Sequence, residues 1–163
     1  MAFLYGAGQV IGMLQAGRFG MRFSRVGSEP GTVTICGAGF GCFAGGALLL
    51  ALAPWWPGSI LGAMIAAAGL GIVAPTMSTL LVSVIPPPIR AQGQSFTLLA
   101  IGGGALAALP LAALGEAQGY RVALVVVSAI TALSVPVLAA ARRTIVADAA
   151  RARSFLAGEL DAV

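Results

Sequence analysis

Residues 59–90 read SILGAMIAAAGLGIVAPTMSTLLVSVIPPPIR. No charged side chain occurs in this stretch before Arg90, which follows three consecutive prolines and an isoleucine. A helix needs about 20 predominantly apolar residues to cross a hydrocarbon core about 30 Å thick, and residues 59–85 exceed that length. The prolines oppose continuation of the helix, and an arginine placed after them would lie among lipid headgroups. The stretch therefore predicts a transmembrane helix that ends at a stiff, positively charged corner.

The rest of the chain is equally poor in charge. Of its 163 residues, 59% are hydrophobic and 9% are charged, whereas a soluble domain carries about a quarter charged residues. No charged residue lies between Glu29 and Arg90, between Arg90 and Glu116, or between Arg121 and Arg142. These gaps hold continuous apolar runs and not alternating ten-residue segments, so we expect helices and not barrel strands. The predicted spans are residues 1–17, 31–53, 59–85, 94–114 and 122–141.

The predicted fold class is an all-α membrane protein, a bundle of four full transmembrane helices plus a partial one at the N-terminus. The bundle occupies residues 1–143, and residues 144–163 form a polar cytoplasmic tail. Apolar side chains recur on one approximate helical face of this tail. Two interpretations stay open for it: a short helix at the membrane surface, or a solvated and frayed segment.

The arginines predict the orientation of the bundle. If the spans alternate in direction, every arginine except Arg121 lies on the same side of the membrane. Short loops rich in arginine stay cytoplasmic, so we expect the C-terminus inside and residue 1 outside, in a bacterial inner membrane. Trp55 and Trp56, between the second and third spans, suit the outer headgroup belt.

The same pattern bears on partners. The arginines stand at the ends of apolar runs and form no stripe with aromatic residues on one face, which excludes a typical nucleic-acid interface. We therefore expect the lipid bilayer as a partner and no nucleic acid. An outside N-terminus without a secretory signal is awkward for a complete protein and natural for the rear part of a longer chain.

Glycines predict where helices pack. In a bilayer, small residues let helix backbones approach closely. Gly37, Gly41 and Gly45 form a double GxxxG ridge in the second span, unless their spacing is chance in a chain with 23 glycines. Gly62 and Gly69 lie on one stripe of the third span, which either packs tightly or borders a water-filled cavity. The same stripe includes Ala66, Val73, Thr76 and Ser83.

Prolines and glycines also predict hinges. Pro75 lies inside the third span and Pro110 near the outer end of the fourth, and each is expected to bend its helix. Gly102, Gly103 and Gly104 are consecutive in the fourth span and permit flexing. Spans of this kind suit a protein that rocks between two states.

Reactive chemistry is not evident from the residues. Cys36 and Cys42 are about 9 Å apart along a helix, which is beyond disulfide reach. The chain has no histidine, so we expect no metal and no cofactor. The spans contain no acid, and no nucleophile and base can be paired, so we expect that the protein is not an enzyme.

Residues 69–124 resemble the tenth to twelfth helices of the major facilitator superfamily of transporters. Ile85 to Arg90 match the family's V-P-P-x-x-R type of cytoplasmic corner, and Gly115, Gly119 and Arg121 match the pattern that precedes helix twelve. Arg18, Gly20 and Arg22 match part of the motif between helices eight and nine. In that motif Gly17 replaces the family's acid and Gly12 is out of step.

The resemblance implies a secondary transporter that moves a small molecule by alternating access, with this chain as helix eight (partial) to helix twelve. The N-terminal half of the same transporter would then be a partner. The implied substrate pathway consists of Thr76, Thr79, Ser83, Gln94 and Thr97. The implied cytoplasmic loop anchors are Arg18, Gly20, Arg22 and Arg90. The alternative is a small, self-contained membrane subunit that acts by helix–helix association through the glycine ridge.

Overall fold

The computed structural model describes residues 6–8, 10–15, 18, 29–85 and 89–160. Four helices follow one another: α1 (Glu29–Leu52), α2 (Trp56–Val84), α3 (Arg90–Gln118) and α4 (Tyr120–Leu160). Residues 6–8 and 10–15 are helical as well, and the described part of the chain contains no strand. The prediction of an all-α protein is confirmed.

In the described residues, three helices are long and apolar enough to cross a membrane: Gly31–Leu52, Trp56–Val84 and Tyr120–Arg151. They contain most or all of the predicted spans 31–53, 59–85 and 122–141, and their length and composition are those of an integral membrane protein. The predicted span 94–114 lies within α3, which is not one of these three helices, and part of the predicted span 1–17 lies outside the described residues. The count of four full spans stays a prediction.

A tight corner joins α1 to α2. The backbone N–H of Ala53 donates to the carbonyl oxygen of Leu49 at 2.9 Å and closes α1. Pro57 lies in the first turn of α2, where a missing N–H costs nothing because those groups have no partner within the helix. The corner leaves Trp55 and Trp56 exposed, at 62% and 74%. Two large indole rings in this position suit the headgroup layer of a bilayer.

Helix α4 is much longer than a span requires. Its 41 residues rise about 60 Å, twice the thickness of the hydrocarbon core. Gly119 makes the corner before it with φ 92°, a conformation open to glycine and rare for other residues. The predicted boundary between bundle and tail, at residues 143 and 144, is not a helix boundary, because α4 continues to Leu160. Residues 144–160 are helical as a continuation of α4, and their position relative to the membrane surface stays a prediction.

Three helices meet at the end where α1 begins. Val33, Cys36 and Leu80 form a buried cluster. Side chains from α1, α2 and α4 pack around this cluster: Phe40, Val73, Leu138 and Ile145. Helix α1 is thus sandwiched between α2 and α4, and α3 packs along α4.

Candidate functional site

One face of α2 is joined to α1 with no side chain between the two backbones. A Cβ atom added to Gly62 would lie 2.6 Å from the backbone nitrogen of Leu50, and one added to Gly69 would lie 2.5 Å from that of Phe43. Real Cβ atoms do not approach backbone atoms so closely, so both positions require glycine at this helix separation. Of the two possibilities for the predicted stripe, tight packing is the one that the structure has.

The matching glycines on α1 are Gly39 and Gly46. A Cβ atom on Gly46 would clash with the backbone of Ala66 and lie 2.7 Å from the carbonyl oxygen of Gly62. A Cβ atom on Gly39 would lie 3.1 Å from the carbonyl oxygen of Gly69. We call these four glycines, two from each helix, the glycine seam. The two glycines in each helix are seven positions apart. A seven-residue repeat keeps one face of a helix toward its neighbour when the two helices form a left-handed supercoil.

The predicted GxxxG ridge lies elsewhere on α1. Gly41 and Gly45 are exposed, and a Cβ atom on either would meet nothing within 4 Å. A Cβ atom on Gly37 would make an ordinary contact with Leu138, at 3.9 Å. The close approach to α2 therefore runs through Gly39 and Gly46, which the sequence reasoning missed. The signal that could have found them is the seven-residue spacing shared by two adjacent spans.

Thr76, a predicted pathway residue, lies inside the packed core. It is 6% exposed, and its hydroxyl lies 2.7 Å from the carbonyl oxygen of Ile72 and 3.0 Å from that of Val73. Its hydroxyl lies beside Cys36 of α1, which is fully buried. Thr76 thus links α1 to α2 and does not border an open surface of the described bundle.

Thr79 and Ser78 lie on another side of α2 and are exposed. Thr79 donates its hydroxyl to the carbonyl oxygen of Pro75 at 2.8 Å, and Ser78 donates to that of Ala74 at 3.0 Å. Each oxygen keeps lone pairs that can accept a hydrogen bond from another group. We call Pro75, Ser78 and Thr79 the hydroxyl face. Pro75 has no N–H for the carbonyl of Gly71, which loosens the helix at this point.

The other predicted pathway residues are not gathered around the hydroxyl face. Ser83 is half-buried and donates to the carbonyl oxygen of Leu80 at 2.8 Å. Gln94 and Thr97 belong to α3, and their side chains lie outside the described ones. Helix α3 packs along α4. Near its start, Gly93 lies against the side chain of Ile85, the residue that follows α2. Of the five residues, the described side chains of Thr76, Thr79 and Ser83 differ in exposure along α2, and the pathway through all five stays a prediction.

The predicted hinges and anchors are placed as follows. Helix α3 runs without a break through Gly102, Gly103 and Gly104 and through Pro110, which is exposed. Arg18 is exposed, whereas Gly20 and Arg22 lie outside the described residues. Arg90 is the first residue of α3. Among the described residues, no three His, Cys, Asp or Glu side chains form a group that could hold a metal ion.

Ser128 is an important polar residue that the sequence reasoning missed. It lies in α4 at 5% exposure, and its hydroxyl donates to the carbonyl oxygen of Ala44 in α1 at 2.7 Å. A buried hydroxyl between two apolar helices is satisfied here across the interface, which fixes the register of α4 on α1. A serine in an apolar run signals a polar contact, but the sequence does not say which helix accepts its hydrogen bond.

Comparisons with protein families, with characterised proteins and with solved structures find no match to this chain. The resemblance to the major facilitator superfamily stays a prediction from the motifs alone.

Proposed function

We propose that this chain is part of a secondary transporter that moves a small solute across a membrane by alternating access. The observation that carries the proposal is the division of α2 into two faces. One face is locked to α1 through the glycine seam. The other presents Ser78 and Thr79 beside Pro75 on a surface that no described helix covers.

Hydroxyl groups on a membrane helix gain nothing from contact with lipid tails. Ser78 and Thr79 bond to their own helix, which lowers the cost of exposure in an apolar medium. Their remaining lone pairs can accept hydrogen bonds from water or from a solute. A surface of this kind can form the wall of a solute pathway.

Alternating access also needs a rigid body that moves as a unit. The glycine seam, the bond from Ser128 to Ala44 and the cluster around Cys36 tie α1, α2 and α4 together. Pro75 provides a site of bending within α2. In this proposal the N-terminal half of the transporter supplies the facing wall and any coupling groups. The C-terminus is cytoplasmic and the membrane is a bacterial inner membrane.

Cysteine labelling tests the pathway. On a Cys42→Ala background, which retains the buried Cys36, Thr79→Cys and Ser78→Cys are compared with Leu133→Cys, a position on α4 that is 66% exposed. The label is a charged methanethiosulfonate, which reacts with a thiolate in contact with water. We expect Thr79→Cys to react at least about tenfold faster than Leu133→Cys. Equal and slow labelling at both positions would show that the hydroxyl face meets lipid and would overturn the proposal.

A second candidate function has its own observation. Gly41 and Gly45, with Cys42 between them, form an open strip of α1, and small residues at this spacing allow another helix to approach closely. A self-contained subunit that acts by helix–helix association would use this strip. Oxidative cross-linking through the native Cys42 tests it: a dimer that forms in the membrane and is lost on Gly45→Leu favours this function, and a monomer under the same conditions rejects it.

A further inference from the structure

The described structure contains a cavity of about 260 Å³ where α1 ends and α4 begins, and this cavity is an open groove on the surface. It is lined by Ala51, Leu52, Arg121, Val122 and Val125. Four of these side chains are apolar, and the fifth is a guanidinium. The cavity therefore combines a single positive charge with an apolar floor.

The charge of Arg121 is available to a ligand. Arg121 is exposed, and the ion pair recorded among the described residues joins Arg151 to Asp148, near the other end of α4. Arg121 also lies in the first turn of α4, whose backbone N–H groups have no partner within the helix and carry partial positive charge. Guanidinium binds phosphate oxygens with two parallel hydrogen bonds.

The position of the cavity indicates where the phosphate comes from. Trp55 and Trp56 are exposed at the same end of α1, directly after Leu52, and indole rings in this position mark the headgroup layer. Leu52 is 64% exposed and Val125 40% exposed. Val125 lies one turn from Arg121 along α4, so an apolar track leads from the guanidinium toward the middle of the membrane.

We infer that this cavity binds a membrane phospholipid, with the phosphate on Arg121 and the first part of an acyl chain along Leu52, Val122 and Val125. A free phosphate ion would use the guanidinium and leave the apolar floor empty. A neutral lipid would use the floor and leave the guanidinium without a partner. The inference does not depend on transport, because the site lies between α1 and α4 and away from the hydroxyl face.

Thermal unfolding of the purified chain in detergent tests the site with three probes: dioleoylphosphatidylglycerol, dioleoylglycerol and inorganic phosphate. We expect phosphatidylglycerol to raise the melting temperature by about 2–4 °C, a shift of the size that about 1 kcal/mol gives in a chain of this length. We expect smaller shifts from dioleoylglycerol and from phosphate. An equal shift from phosphate would assign the site to a free anion, and an equal shift from dioleoylglycerol would show that Arg121 takes no part; either result overturns the inference.

Two variants locate the effect within the cavity. Arg121→Gln removes the guanidinium and is expected to weaken phosphatidylglycerol binding at least about tenfold, because each hydrogen bond to a charged group is worth about tenfold or more. Val125→Phe keeps the arginine and fills the floor, and is expected to weaken it as well. The matched control is Arg142→Gln, which removes an exposed arginine far along the same helix and should leave binding unchanged. If Arg142→Gln loses as much affinity as Arg121→Gln, the affinity depends on the overall positive charge of the protein and not on this cavity, which would contradict the inference.

Discussion

Two pairs of glycines on α1 have the same chemistry and opposite surroundings. Gly46 lies so close to the backbone of α2 that a single methyl group would not fit, and a Cβ atom on Gly39 would lie 2.8 Å from the side chain of Val73 and 3.1 Å from the carbonyl oxygen of Gly69. Gly41 and Gly45, one or two residues away, are exposed with open space around their Cα atoms. A GxxxG spacing alone therefore does not identify the packed face of a helix; a spacing matched in the neighbouring helix does.

The largest expected effect is a difference in stability between variants of the two glycine pairs. Gly46→Val places a side chain against the backbone of Ala66 and must push α1 and α2 apart, so we expect a loss of about 1–3 kcal/mol in the free energy of unfolding. Gly45→Val makes the same change in open space, and we expect less than about 0.5 kcal/mol. Titration with sodium dodecyl sulfate, followed by circular dichroism, measures both. Equal losses would mean that the glycine seam is not where the structure has it.

A smaller effect compares the two sides of α2. Thr76→Val removes a buried hydroxyl that bonds to the carbonyl oxygens of Ile72 and Val73, and we expect a loss of about 1 kcal/mol in the free energy of unfolding. Thr79→Val removes an exposed hydroxyl bonded to its own helix, and we expect a change within about 0.5 kcal/mol. The same unfolding titration measures both variants. A larger loss of unfolding free energy in Thr79→Val than in Thr76→Val would mean that Thr79, and not Thr76, lies on the packed face of α2.

The smallest expected effect lies between α1 and α4. Ser128→Ala removes the bond to Ala44, and polar bonds between membrane helices are worth about 0.6 kcal/mol on average. The control is Thr131→Val, because the Thr131 hydroxyl donates to the carbonyl oxygen of Val127 in its own helix at 2.8 Å. Amide hydrogen exchange should become faster on both α1 and α4 in Ser128→Ala and remain unchanged on α1 in Thr131→Val. Faster exchange on α1 in both variants would remove the special role of Ser128.

The spans were predictable because charge is costly inside a bilayer. Charge-free stretches contain the predicted spans 31–53, 59–85 and 122–141, and the PWWPG segment at residues 54–58 divides the first stretch in two. The structure has membrane-length helices at all three places. The end of α4 was not predictable in the same way. Arg142 and Arg143 mark where the apolar run ends, but the alanine-rich residues beyond them favour helix, so the helix continues where the apolar run stops.

The faces of the helices were harder to predict than their positions. The stripe through Gly62, Gly69 and Thr76 has a helical period that is visible in the sequence, and it is the packed face. Its partner face was not predictable from α1 alone, because the four-residue series Gly37, Gly41 and Gly45 competes there with the seven-residue pair Gly39 and Gly46, and 23 glycines make both spacings common. The division between Thr76 and Thr79 depends on a rotation of 60° around one helix, which needs the position of the neighbouring helix.

The proposed function requires helices that cross the membrane in alternating directions. The prediction places the corners at Trp55 and Tyr120 on the outer side of the membrane and the corner at Ile89 on the cytoplasmic side. All three side chains are exposed, so each position can be replaced by cysteine and labelled. Each cysteine variant is expressed in cells on a Cys42→Ala background, and the cells are treated with a membrane-impermeant maleimide. We expect Trp55→Cys and Tyr120→Cys to be labelled in intact cells and Ile89→Cys only after permeabilisation. Labelling of Ile89→Cys together with the other two in intact cells would contradict the account.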